Sequence, residues 1–248
     1  MRLGIGKFEV TRFGDARALA ETAAREWVGE MSQAAAKAQT YCVSLSGGRI
    51  ARQFFGLAAE LVKAGGDKGS RGLDSAHFFW GDERCVPPDD AESNFGMAQE
   101  ILLGPLGVPG QQIHRVRGEL PPERSTAEAA AELCRLARAS SDGQPELDLV
   151  FLGMGEEGHV ASLFPGESEA VMESGAVYRA VTATKPPPRR ITLGYAAIAA
   201  AREVWVLASG SGKEGALRAS LEAGGKTPLG RVLQLRDFTR ILTDLNVG

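Results

Sequence analysis

Cysteine is scarce in this chain of 248 residues: there are three, Cys42, Cys85 and Cys134, odd in number and far apart. That excludes a disulfide framework and a Cys-x-x-Cys metal or redox site, and leaves buried or idle thiols. Long apolar runs are missing as well. None approaches the roughly 20 residues needed to cross a bilayer, and Met1 to Arg12 alternates charged with apolar residues where a signal peptide carries an apolar stretch. A cytoplasmic protein with no membrane partner is therefore expected. Nor is positive charge in excess: 28 Lys and Arg stand against 31 Asp and Glu, a net charge of −3. Nucleic acid is argued against as a partner, because phosphate backbones are bound through surplus Lys and Arg. An anionic small molecule would need a local cluster of cations. Internal repeats, low-complexity tracts and convincing linkers are absent too. What remains, 44% hydrophobic and 24% charged residues, is the composition of an ordinary globular chain able to bury a core. A single α/β domain over 1–248 is expected.

Glycine and proline punctuate the chain into strand and helix units that mostly alternate, the pattern of a mainly parallel sheet with helices on both faces. Leu19, Ala23, Trp27 and Met31 recur every four positions between Asp15 and Ala38, which predicts an amphipathic helix. Tyr41–Leu45 reads as a buried strand, and Ile50, Phe54, Leu57 and Leu61 then resume helical spacing. Ala76–Trp80 is a second strand, followed by a charged loop, Gly81 to Glu92, and a helix that Ser93 caps. Gly65–Gly72 and Gly104–Pro122 read as surface connections. Ser125-x-x-Glu128 reads as a capping box opening a helix to Ala139. Leu147–Leu152 is a third strand. Further strands are expected at Ala176–Val181, Ile191–Leu193, Glu203–Ala208 and Arg240–Thr243, with a helix from about Gly212 to Ala223.

Ligands of open α/β sheets bind beyond the carboxyl ends of the strands, so the segments that follow each strand carry the functional information. After the first comes Ser46-Gly47-Gly48-Arg49, where glycines free backbone N–H groups to point at an anion and a helix N-terminus adds its positive end. By itself it fits a phosphate cradle and a plain tight turn equally. It is neither the Gly-x-x-x-x-Gly-Lys phosphate loop nor Gly-x-Gly-x-x-Gly, so no nucleotide is implied. After the second comes Gly81-Asp82-Glu83-Arg84, either a solvated loop or a polar site in which the Arg84 fork holds an oxyanion. The third leads into Gly153-Met154-Gly155-Glu156-Glu157-Gly158-His159. His159 is one of three histidines, and the carboxylates beside it suit a base that works near neutral pH. His77 and His114 lack such neighbours and read as capping or surface residues. No second histidine or cysteine stands at ligand spacing from His159, so no metal is expected. Lys185-Pro186-Pro187-Pro188-Arg189-Arg190 precedes a strand, and Gly210-Ser211-Gly212-Lys213 follows one. With Arg49 and Arg84, these cations are candidates for one anion site.

Together the motifs resemble the 6-phosphogluconolactonase family, related in fold to glucosamine-6-phosphate deaminases and ribose-5-phosphate isomerases. The resemblance rests on Ser46-Gly47-Gly48, on Trp80-Gly81-Asp82-Glu83-Arg84 with Ser93-Asn94, and on Gly153 to Pro165. Arg190-Ile191-Thr192 and Gly212-Lys213 complete it. It implies a Rossmann-like fold of sugar-phosphate isomerase type and hydrolysis of 6-phospho-D-glucono-1,5-lactone, the second step of the oxidative pentose phosphate pathway. No metal or organic cofactor is implied, and a monomer or homodimer whose partner is the phosphorylated sugar lactone is expected. His159 would be the base, Glu157 its orienting partner and Arg84 an oxyanion donor. Ser46, Gly47, Gly48, Arg49, Asp82, Asn94, Arg190 and Lys213 would bind substrate and its phosphate. The chain departs from the family at two places: Glu157 replaces the usual aspartate before Gly-His, and Ile50-Ala51 replace Thr-Pro after the glycine turn. Two other functions stay open: an amino-sugar phosphate deaminase–isomerase, and a non-catalytic sugar-phosphate-binding module. The first typically carries Asn-Glu-Pro after its histidine, where this chain has Ser162-Leu163-Phe164-Pro165.

Overall fold

Strands rich in Val, Leu and Phe with almost no polar interruption must be covered on both faces, and their placement sets the architecture. The computed structural model describes residues 2–5 and 7–247. In chain order its elements are β1 (Arg2–Ile5), β2 (Phe8–Arg12), α1 (Ala16–Ala36), β3 (Tyr41–Leu45), α2 (Arg49–Ala64), α3 (Gly66–Arg71), β4 (Ala76–Trp80) and β5 (Asp82–Arg84). There follow α4 (Asn94–Ala98), α5 (Pro122–Leu136), β6 (Arg138–Ala139), β7 (Pro145–Glu146), β8 (Leu149–Gly153), α6 (Glu169–Met172), β9 (Tyr178–Thr182) and β10 (Arg189–Leu193). The chain closes with α7 (Tyr195–Ala200), β11 (Glu203–Ala208), α8 (Glu214–Leu221), α9 (Pro228–Leu235) and β12 (Thr239–Thr243). The main sheet has the order β1-β2-β12-β11-β8-β3-β4. From β2 to β4 every neighbouring pair is parallel; only β1 runs antiparallel, beside β2. Every residue of β3 is buried, as are four of five in β8 and five of six in β11.

The apolar stripe of α1 lies on this sheet, with Leu19, Ala23, Trp27 and Met31 all buried. Asp15 starts the helix by accepting a hydrogen bond from the Ala18 backbone N–H at 2.8 Å. Trp27 meets Phe54 of α2 and Phe151 of β8 at ring-centroid distances of 5.2 and 5.3 Å, and Phe54 meets Phe151 at 4.7 Å. Tilted and edge-on pairs of this kind add about 0.5–1.5 kcal/mol each beyond the area they bury. Strand order reverses at β3, whose neighbours are β4 on one side and β8 on the other. Chains leaving the carboxyl ends of β3 and β8 diverge there and open a crevice. No helix among the described residues is long and apolar enough to cross a membrane.

Several sequence expectations are corrected. The segments expected near 176–181 and 191–193 are strands, but they form with β5 a separate antiparallel sheet, β5-β10-β9, instead of extending the parallel one. The 65–72 segment holds α3, because Gly69 lets it press on α2: a Cβ there would lie 2.2 Å from the Val62 carbonyl oxygen. Ser125 does not begin a helix. Pro122 does, since proline suits a first helical turn, and Ser125 lies buried inside α5, which stops at Leu136. Helix α9, started by the Thr227 hydroxyl accepting from Gly230 N–H at 3.0 Å, was not read from the sequence.

The connection 104–122 is not wholly superficial, and neither are His77 and His114. Ile113 pairs with Phe78 at the edge of the sheet. His77 Nδ1 lies 2.8 Å from His114 Nε2, and His114 Nδ1 lies 2.8 Å from the Glu132 carboxylate. Burial depresses both imidazole pKa values below the ordinary 6.5. The unfolded chain therefore binds protons more readily, and stability contributed by the pair is lost as pH falls below about 6.5. Acidification from pH 7.5 to 5.5 should lower the Tm of the wild type more than that of a His77→Phe/His114→Phe variant. Equal shifts in calorimetry would remove the pair from the acid sensitivity.

Candidate active site

The crevice beyond β3 and β8 holds a cavity of about 300 Å³, lined by segments far apart in sequence. Ser46, Gly47, Gly48 and Arg49 leave β3, Asp82 and Arg84 belong to β5, and Asn94 begins α4. His159 comes from the loop after β8, Arg190 from β10, and Lys213 from the start of α8. Glu157 is the one candidate outside the lining. Its Oε2 lies 3.3 Å from His159 Nδ1, a contact that is not aligned as a hydrogen bond and becomes an ion pair only when the ring is protonated.

Glycines shape the turns at this edge. Gly48 is the N-cap of α2 at φ +97°, with no side chain to accept from the first-turn amides, so the positive end of the helix faces the cavity uncapped. A Cβ on Gly47 would sit 1.9 Å from Asn94 Oδ1, and one on Gly155 would sit 1.9 Å from the His159 ring. Gly155 N–H donates to the His159 carbonyl at 2.9 Å, folding the loop back so that the imidazole packs on glycine backbone. Phe164 covers its other side at a ring-centroid distance of 5.0 Å.

Burial sets the charge state of His159. It depresses the His159 pKa and outweighs the nearby carboxylates of Glu157 and Asp82, which pull the other way, so the ring is neutral at pH 7. Burial would raise the Glu157 carboxyl, but its own backbone N–H, His159 and Lys185 hold it below the ordinary carboxylate value.

The cations fall into two neighbouring sets. Arg190 stands opposite Arg84 in the β10–β5 register, is 7% exposed, and has its pKa lowered by burial and by Arg84. Carbonyls of the proline loop fix it: Nε donates to Pro187 O at 3.0 Å and Nη2 to Lys185 O at 3.3 Å. Lys213 is depressed by burial and by Arg49. Like charges gathered this closely in an acidic protein favour an anion between them.

Glu83 escaped the sequence reading, where it was only one charge in a run. It points away from the cavity and is 2% exposed. Its carboxylate accepts from the backbone N–H groups of Arg84, Asn94 and Phe95 and from the Ser93 hydroxyl, at 2.7–3.1 Å. Burial raises its pKa to about 6. Ser93 also caps α4, its Oγ accepting from Gly96 N–H at 3.0 Å. The signal available beforehand was the pairing of an acid at a strand end with Ser-Asn ten residues on.

The family model for glucosamine-6-phosphate isomerases/6-phosphogluconolactonase matches residues 14–240. The chain belongs to this family. Among its members, the 6-phosphogluconolactonase of Mycobacterium tuberculosis is 39% identical over 223 residues, 88% of this chain and 86% of that one. The human 6-phosphogluconolactonase is 35% identical over 189 residues, 76% of this chain and 71% of the other. A solved 6-phosphogluconolactonase structure from Trypanosoma brucei superposes with a TM-score of 0.79 at 26% identity, covering 96% of this chain and 97% of its own. That from Trypanosoma cruzi gives 0.80 at 25%, covering 98% and 96%. The α/β fold with its mostly parallel sheet is therefore that of the solved 6-phosphogluconolactonases.

Removing the buried charge at position 83 tests how the rim is held. In Glu83→Gln an amide NH₂ faces donors that now lack an acceptor, which should cost about 1–3 kcal/mol in urea unfolding. A loss below about 0.5 kcal/mol would assign the loop 84–95 another anchor.

Proposed function

We propose that the chain hydrolyses 6-phospho-D-glucono-1,5-lactone to 6-phospho-D-gluconate in the cytoplasm, as the second step of the oxidative pentose phosphate pathway. The observation that carries the reading is a half-buried histidine in the same cavity as Arg49, Arg84, Arg190, Lys213 and an uncapped helix N-terminus. Such a cavity suits an anionic substrate and supplies a base, the two things lactone hydrolysis requires.

In this reading Nδ1 of His159 is turned to Glu157, and Nε2 takes a proton from water as its oxygen attacks the lactone carbonyl. The imidazolium formed is stabilised by Glu157 and Asp82. Arg84 stabilises the oxyanion. When the tetrahedral intermediate collapses, the bond to the ring oxygen breaks and the proton on His159 passes to that oxygen, leaving a free hydroxyl and a carboxylic acid that releases its remaining proton to solvent as the carboxylate. Ser46 to Arg49, Arg190 and Lys213 hold the 6-phosphate, so that binding energy far from C1 positions the carbonyl.

The deaminase–isomerase alternative needs a ring-opening carboxylate after the histidine. Here Ser162 and Leu163 are both fully buried, and the Ser162 hydroxyl is bonded to Asp82. A purely binding function is separated by turnover. Release of 6-phosphogluconate from freshly generated lactone, corrected for spontaneous hydrolysis, should be fast with wild type. It should fall about 10²–10⁴-fold in His159→Ala. Glu157→Gln should lower kcat more than it changes KM, because an amide cannot stabilise the imidazolium. A His159→Ala enzyme that keeps more than about a tenth of the rate would refute the base assignment.

The phosphate assignment has its own control. Arg190→Ala or Lys213→Ala should raise KM about ten- to a hundredfold, as expected for losing a charge-assisted contact of about 1.5–3 kcal/mol. Glucono-1,5-lactone, which lacks the phosphate, should be turned over much as before. If both lactones suffer equally, these cations act at the carbonyl or support the fold.

A further inference from the structure

Two residues beyond His159 the backbone adopts a conformation that its own sequence does not favour. Ala161 has φ +49°, in the left-handed region where a Cβ crowds the following carbonyl oxygen. It also lines the cavity. Residues held this way persist only where the surroundings over-determine them, and both flanks of Ala161 are pinned. On one side Val160 bridges to Met154 and Leu163. On the other, Ser162 makes two bonds into the second sheet: its N–H donates to Thr192 Oγ1 at 3.1 Å and its hydroxyl to Asp82 Oδ2 at 2.6 Å. Asp82 and Thr192 are register partners across β5 and β10, so their side chains form a two-point socket on a rigid element. Ser162 and Thr192 are fully buried and Asp82 nearly so. The other oxygen of Asp82 accepts from Asn94 Nδ2 at 3.2 Å, and Asn94 packs on Gly47 of the first turn.

We propose that Asp82 is a positioning residue: through Ser162 it holds the left-handed turn at Ala161, and so fixes His159 relative to the cations of the second sheet. This rests on the reading of His159 as the base. Each oxygen of Asp82 accepts from a protein donor, Asn94 on one and Ser162 on the other, so the carboxylate ties the histidine loop to the second sheet. It has a second consequence. The charged groups that face His159 are Glu157 from its own loop, Asp82 from β5 and Arg190 from β10; the carboxylates raise its pKa and the guanidinium lowers it. Replacing Asp82 by a neutral amide removes one raising charge and moves the titration of His159 to lower pH.

The test compares wild type with Ser162→Ala, Thr192→Val and Asp82→Asn. It measures kcat and KM on the phosphorylated lactone, the Tm, and the titration of the His159 ring by NMR. Ser162→Ala should lower kcat about ten- to a hundredfold with KM within about threefold, the effect of a base displaced by about 1 Å. Thr192→Val keeps the shape of the side chain and should act in the same direction more weakly. Asp82→Asn should lower kcat and shift both the His159 titration and the acid limb of kcat to lower pH. A merely structural role would lower Tm while leaving kcat and the titration of the folded enzyme in place, and that result overturns the proposal. Should Ser162→Ala fail to fold, Thr192→Val decides the kinetic arm. If wild type itself does not hydrolyse the lactone, the functional reading fails. The titration of His159 in Ser162→Ala and Thr192→Val, which keep the Asp82 charge, then decides: curves unchanged from wild type overturn the brace.

Discussion

Two adjacent acids where β4 passes into β5 hold the site together. Asp82 and Glu83 point to opposite sides of one short strand, and neither is left with an unsatisfied oxygen. A buried carboxylate without donors would cost several kcal/mol, so the chain is organised to supply them. Glu83 gathers Ser93, Asn94 and Phe95, which starts α4 and closes the charged loop. Asp82 gathers Asn94 and Ser162, which ties that loop to the histidine loop. The segments around the cavity are thereby held by buried polar bonds inside a packed core, and polar networks fully satisfied in this way are rigid.

Rigidity matters because the site assembles groups that repel each other. Arg84 and Arg190 stand side by side across two strands, and Lys213 lies close enough to Arg49 to have its pKa lowered. Left to itself such an array would spread into solvent. The proline loop prevents this for Arg190 by offering carbonyl oxygens to its guanidinium. The same burial that crowds the cations depresses the His159 pKa, so one cause, desolvation at the mouth of the sheet, acts on the cations and on the histidine together.

The parts of this arrangement legible in the sequence were those written in local patterns. Four-residue spacing gave α1, apolar runs gave β3, β4, β8 and β11, and glycine-rich turns beyond them marked the edge at which the cavity opens. Position after a strand was enough to nominate Ser46, Arg84, His159 and Lys213, because strand ends of a parallel sheet all reach one edge. Departures arose where a local signal had a competitor. Ser125-x-x-Glu128 has the spacing of a capping box, but proline at 122 takes the helix start. Strands β9 and β10 are legible as strands, but their pairing is not: β10 pairs antiparallel with both β9 and β5, outside the parallel sheet.

The sequence by itself determined an α/β architecture, its buried strands and the set of chemical groups at their carboxyl ends, since each follows from periodicity and residue type within a few positions. Only the tertiary structure decided which groups meet. That Arg84 stands opposite Arg190, that Asp82 bonds Ser162 across 80 positions and that Glu157 stays outside the cavity depend on strand pairing and loop closure. The charge state of His159 belongs to the same class. Its neutrality comes from desolvation, a property of the folded surroundings that no residue carries in its own side chain.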